Sequence, residues 1–133
     1  IRTGKIPTNT PEFDEAEKAV KDRLEFFVTN KGSHSVDYFH KKLGHIMWNK
    51  VGMARNKKGL EEAMREIKEL REQFWKEVKV PGTTASMNPE LEKAERVADF
   101  LELGELFARD ALLREESCGG HFREEHQTED GEA

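Results

Sequence analysis

The 133-residue chain has one cysteine, four prolines, and no apolar run long enough to cross a bilayer. A single Cys excludes an internal disulfide and any zinc site built on several thiolates, and it favours a reducing compartment only weakly. Four Pro with ten Gly exclude the collagen-like and the Pro/Gly-rich disordered classes. Without about 18 consecutive apolar residues, no direct membrane insertion is expected. No N-terminal basic, apolar, small-residue pattern of a secretory signal occurs. Two nucleotide-loop motifs are missing, G-x-x-x-x-G-K-S/T and G-x-G-x-x-G, so the usual strand–loop–helix cradle for a phosphate is not expected. The zinc-protease motif H-E-x-x-H is missing too.

What is present is charge and a helical period. Charged residues (37%) slightly outnumber hydrophobic ones (35%), which predicts one thin-cored, surface-rich domain. The net charge of −5 sits in residues 114–133, where seven acids face two Arg. Tyr38–Leu60 is the opposite, with six bases and no acid: Lys41, Lys42, Lys50, Arg55, Lys57 and Lys58. Apolar core positions interrupt these bases and the domain as a whole is acidic, so nucleic acid is not expected as a partner.

Thr10-Pro11 supplies a cap followed by Pro at the first helical position. Phe13, Ala16, Val20, Leu24 and Phe27 follow at spacings of three and four, predicting an amphipathic helix over 11–30. Ser33 or Ser35 can cap a second helix over 36–55, traced by Val36, Phe39, Leu43, Met47, Val51 and Ala54. Gly44 and Gly52 lie inside it and imply close approach of another element, because each costs about 1 kcal/mol relative to Ala in a helix interior. Leu60, Ala63, Met64, Ile67, Leu70, Phe74 and Val78 predict a third helix over 59–79. Asn88-Pro89 repeats the cap-plus-Pro start for a fourth over 89–117, along Leu91, Ala94, Ala98, Leu101, Glu105, Ala108 and Leu112. Phe26, Phe27, Trp48 and Trp75 are read as core or interface packing.

The expected fold is all-α, an antiparallel three- to four-helix bundle like a spectrin repeat, with no strand. An extended lead-in occupies 1–10, the bundle 11–117, and an irregular segment 118–133. The chain opens on Ile1 rather than Met and is read as a piece of a longer one.

His40 and His45 are five apart, off the i,i+4 spacing that places two ligands on one helix face. Cys118 and His121 form a lone C-x-x-H. A metal enzyme built on these four is the weakest of the readings considered. An independent helical protein-interaction module is the stronger alternative, using the charge asymmetry.

The run Arg114-Glu-Glu-Ser-Cys-Gly-Gly-His-Phe-Arg-Glu-Glu125 resembles the end of the C-terminal helical domain of succinate dehydrogenase and fumarate reductase flavoprotein subunits. That family carries Glu-Ser-Arg-Gly-x-His-x-Arg followed by an acid. Glu116, Ser117, Gly119, His121, Arg123 and Glu124 match, and Cys118 departs from the usual Arg, a form similar to the Bacteroidetes/Chlorobi-like type. The stretch His45-Ile-Met-Trp-Asn-Lys-Val-Gly-Met-Ala-Arg-Asn-Lys-Lys-Gly-Leu60 resembles the family's run before its third helix. Aspartate oxidase and adenylylsulfate reductase share the fold family.

The resemblance implies a subunit that interconverts succinate and fumarate through covalent FAD. It implies as partners the FAD-binding and capping domains of the same subunit, an iron–sulfur subunit and a membrane anchor. It places the whole peripherally at the cytoplasmic face of a bacterial inner membrane. No residue here matches a catalytic or flavin-linking position of the family, so neither catalysis nor a cofactor is assigned to this chain. Arg55, Asn56, Glu116, Ser117, Cys118, Gly119, Gly120, His121 and Arg123 are the candidate interdomain or intersubunit contacts.

Overall fold

The structure, a computed structural model, describes residue 4 and residues 7–130. Parts of the expected lead-in (residues 1–3 and 5–6) and the last three residues lie outside the described residues. Four helices form: α1 (Pro11–Thr29), α2 (Val36–Lys50), α3 (Lys57–Glu77) and α4 (Pro89–Leu113).

Their starts follow the capping residues. Ser35 accepts from the Tyr38 N–H, Asn56 from Gly59 and Asn88 from Leu91, each satisfying an orphan donor of the first turn. Thr10 makes no such side-chain bond, and Pro11 begins α1 regardless. The ends fall earlier than the periodicity suggests. α2 stops at Lys50 and α4 at Leu113, because the residues beyond them are drawn into other pairings.

Those pairings correct the expectation of no strand. β1 (His34–Ser35) lies parallel to β3 (Val78–Lys79), with His34 opposite Val78. β2 (Ala54–Arg55) lies parallel to β4 (Phe122–Arg123), with Arg55 opposite Arg123. Strands of two residues show no alternation a sequence reader can detect. They also fix the topology. β1 opens α2 and β3 closes α3, so α2 and α3 run antiparallel. β2 joins α2 to α3 and β4 follows α4, so α4 ends beside the start of α3 and runs antiparallel to it.

The core lies between α2, α3 and α4. On α3 Leu60, Ala63, Ile67, Leu70 and Phe74 are all buried, at spacings of three and four. α4 meets them with Leu91, Ala94, Val97, Ala98, Leu101, Gly104, Ala108 and Ala111. At Gly104 side chains of α2 and α3 press on α4: a Cβ there would stand 3.3 Å from Leu43 Cδ1 and from Met47 Sδ and 3.6 Å from Ile67 Cδ1. α1 departs from its reading. Of its stripe only Phe27 is buried, while Phe13 and Val20 are about half exposed. The helix touches the bundle at its C-terminal end, where Arg23 reaches Glu95 at 3.1 Å and Asn30 Nδ2 donates to the Val78 carbonyl at 2.8 Å. Trp48, read as packing, is 84% exposed.

Candidate functional site

The C-terminal segment is ordered by this chain's own residues. After α4 the backbone turns at Cys118–His121, where the Cys118 N–H donates to the His121 carbonyl (2.8 Å) and the His121 N–H to the Cys118 carbonyl (3.1 Å). Gly119, the first central residue of this two-residue turn, has φ +57°, as a type II′ turn requires. Beyond it β4 lies against β2, and the Glu124 N–H donates to the Arg55 carbonyl at 2.8 Å.

This return brings Arg55, Ser117, His121 and Arg123 together, all buried. Arg123 Nη1 donates to the carbonyls of Ala111 (2.8 Å), Leu112 (3.0 Å) and Arg114 (3.1 Å). These sit at the C-terminal end of α4, where carbonyls lack intrahelical partners and the helix dipole favours a cation. Arg123 Nε also pairs with Glu125 at 3.2 Å. Ser117 Oγ holds the β4 backbone from both sides, accepting from the Arg123 N–H (2.9 Å) and donating to the Arg123 carbonyl (3.2 Å).

Arg55 Nε donates to the Gly52 carbonyl at 2.6 Å, and Arg55 Nη1 lies 2.7 Å from His121 Nδ1. A guanidinium has no acceptor, so Nδ1 must be the acceptor. His121 is therefore neutral with its proton on Nε2, directed at the Arg114 carbonyl 3.4 Å away. Burial pushes the His121 pKa below its ordinary value, and the charges of Arg55, Arg114 and Arg123 add to this against the opposing backbone bond. Burial also lowers Arg55, with Arg114 and Arg123 contributing repulsion.

The acids of the segment close it onto α3. Glu125 accepts from the Lys57 backbone N–H at the first turn of α3, and that bond holds its carboxyl below the usual range. Asn56 Nδ2 donates to Glu124 Oε2 at 2.8 Å. Glu116 pairs with Arg114, Nε at 2.9 Å, and its carboxyl is lowered by that bond.

Of the nine candidate contacts, Arg55, Asn56, Ser117, His121 and Arg123 turn inward onto partners within the chain, while Glu116, Cys118, Gly119 and Gly120 are exposed. His40 and His45 are exposed on α2. Among the described residues no cluster of three or more His, Cys, Asp or Glu could hold a metal ion. Of the six bases in Tyr38–Leu60, Lys50 is taken up by Glu62 (3.0 Å) and Glu66 (2.6 Å), and Arg55 by the buried cluster.

Sequence reasoning missed a second face of α4. Phe100, Leu103, Leu106 and Phe107 are 42–59% exposed and line two adjoining clefts. The signal was available: α4 carries more apolar residues than one core-facing stripe can use, so a second face was to be expected.

Comparison with known proteins agrees with this layout. The family described as fumarate reductase flavoprotein C-term matches residues 40–133. The fumarate reductase flavoprotein subunit of Helicobacter pylori is 35% identical over 127 residues, 96% of this chain and 18% of that subunit. The matching polypeptide of the CoM/CoB fumarate reductase from Methanothermobacter marburgensis is 32% identical, over 84% of this chain and 19% of its own length. Among solved structures, the apo Sdh1 complex of Mycobacterium smegmatis matches at 28% identity with a TM-score of 0.75, over 85% of this chain and 19% of its own. A quinol–fumarate reductase with menaquinol matches at 25% identity and a TM-score of 0.78, over 90% and 20%. The chain thus spans about a fifth of the length of the relatives it matches.

Proposed function

Because this chain belongs to the fumarate reductase flavoprotein C-terminal family, we propose that it is the non-catalytic helical domain of a succinate dehydrogenase or fumarate reductase flavoprotein subunit. The intact subunit interconverts succinate and fumarate through covalent FAD and passes electrons to an iron–sulfur subunit and a membrane anchor. The FAD-binding and capping domains of the same polypeptide carry the chemistry. The complex sits at the cytoplasmic face of a bacterial inner membrane, this domain being peripheral. Among the described residues no helix is long and apolar enough to cross a membrane.

The observation that carries the reading is how the family's own motif residues are used. Arg123, His121 and Ser117 spend their hydrogen bonds on backbone carbonyls, on Arg55 and on β4, so they hold a chain end in place rather than present a reactive group. The described residues do not fit FAD. Its pyrophosphate calls for open backbone N–H groups at a helix N-terminus. Here Ser35, Asn56 and Asn88 fill those positions on α2, α3 and α4; α1 starts with Pro11, which has no N–H, and its first turn carries Glu12 and Asp14, while the Glu125 carboxylate at the start of α3 would also repel an anion. No flavin step is assigned to this chain.

The test compares the full-length subunit with residues 1–133 expressed alone. Succinate-dependent dye reduction and a covalently held flavin are expected in the first and neither in the second. Turnover by the short chain, or its lack in a flavin-loaded subunit, refutes the proposal.

A further inference from the structure

We infer that the groove between α2 and α4, running into the cleft at Arg55, seats a segment of the rest of the flavoprotein subunit that lays apolar side chains along α4 and sets a carboxylate against Arg55. This deepens the reading above and rests on it.

The groove, a cavity of about 270 Å³, is lined by His40, Gly44, Met47, Phe100, Leu103 and Phe107 among others. Through Leu103 and Phe107 it continues into a cleft of about 440 Å³ that also holds Arg55, Asp110, Arg114 and His121. Four large apolar side chains of α4 stand roughly half exposed along this path. A contiguous row of that kind marks an interaction surface.

Gly44 supports an occupant from outside the bundle. It lies inside α2, where Gly costs about 1 kcal/mol relative to Ala, yet a Cβ there would meet nothing within 4 Å. Packing inside the described residues gives no reason for it, whereas Gly104 is pressed by Leu43 and Met47 of α2 and Ile67 of α3. A second chain lying close on the α2 backbone would supply the reason.

Arg55 states the chemistry of that chain. Arg114 is paired with Glu116 and Arg123 with Glu125. Arg55 pairs with no carboxylate among the described residues, although Asp110 lines the same cleft. Its Nε and Nη1 are used, and its guanidinium lies 6.0 Å over the exposed Phe107 ring. A buried guanidinium beside two others calls for a counter-charge, and a carboxylate fits its planar fork. A small free anion would answer Arg55 and leave the four apolar side chains wet. A polypeptide with a carboxylate beside apolar residues answers both. The relatives are about five times as long as this chain, so the remaining polypeptide is available at the high effective concentration of a tether.

The experiment uses the full-length, flavin-loaded subunit. In the Arg55→Lys variant, a water-soluble carbodiimide should join the amine introduced at position 55 to an Asp or Glu upstream of this chain, located by mass spectrometry. A link only to Asp110, Glu116 or Glu124, or no link, overturns the proposal. Should that variant not fold, Leu103→Cys and Thr84→Cys subunits are labelled with a maleimide. Position 103 should react at least about tenfold more slowly than position 84, the order of protection a packed interface gives. Equal rates in a subunit that still turns over succinate overturn the docking surface and leave the family reading standing. A flavin-loaded subunit without turnover removes the family reading whatever the labelling shows.

Discussion

The two ends of the bundle are fastened by the same backbone device and held by opposite chemistry. At one end β1 pairs with β3, and Phe27, Phe39 and Phe74 meet beneath the pair, all fully buried. Phe74 sits edge-on to Phe39 at 5.2 Å and to Phe27 at 5.9 Å, while Trp75 stacks on Phe27 at 5.4 Å. At the other end β2 pairs with β4, and the buried groups are Arg55, Ser117, His121 and Arg123. A two-residue bridge contributes little by itself, so each end draws its stability from what it covers. The dry end depends on apolar area and ring geometry. The wet end depends on every donor finding its acceptor, and it is therefore the end that pH can reach.

Four substitutions or conditions would sharpen or break this contrast. Phe74→Ala removes the ring at the centre of the dry end and should cost about 3–5 kcal/mol in denaturant unfolding, as buried Phe truncations do. A loss under about 1 kcal/mol would show that the rings do not hold that end.

Arg123→Met keeps the buried stem and deletes the donor shared by the Ala111, Leu112 and Arg114 carbonyls. The expected loss is about 2–3 kcal/mol, with faster amide exchange in 114–126 than in α3. Uniform loosening along α3 instead would mean that the two ends are not separable.

Acid should act at the wet end first. His121 is neutral and its pKa is lowered in the fold, so the unfolded chain binds the extra proton. Stability from this group is present above its unfolded pKa of about 6.5 and is lost as pH falls through the lowered folded value. His121→Asn, which keeps an acceptor near the Nδ1 position, should flatten that part of the stability–pH curve. An unchanged curve would assign the acid sensitivity elsewhere. Phe74→Ala should lower the curve and keep its shape.

The smallest effect is expected at Cys118. Its side chain is exposed and only its backbone joins the turn. Cys118→Ser should therefore change unfolding by no more than about 0.5 kcal/mol. A loss above about 2 kcal/mol would mean that the thiol is buried against something.

The two ends also differ in how readable they were. Phe39 and Phe74 fall on clean three-and-four stripes, and Ser35 and Asn88 cap helices where the sequence offers them, whereas the Asn56 cap emerges only in the structure. The α1 stripe read equally well, yet only Phe27 is buried and Leu24 packs partly against the core, because periodicity says that a face is apolar and not that anything covers it. Arg55 was one of six bases in an acid-free stretch, and the resemblance marked it as a contact with another domain or subunit, not as a buried partner of His121. Its burial depends on a strand some 68 residues further along, and the register of two residues leaves no local trace. His121 and Arg123 were singled out through a resemblance, and their intramolecular partners could not be read from it.

The sequence by itself determined the four helices, the caps at Ser35 and Asn88, and the family, since turns and stripes are set by neighbours within a few residues. Only the tertiary structure decided that Arg55 meets His121 across 66 positions, that Arg123 closes the end of α4, and that one face of α4 stays uncovered. Those outcomes depend on which distant groups can satisfy one another's charge and hydrogen bonds once the helices have packed, and no short stretch of chain encodes that.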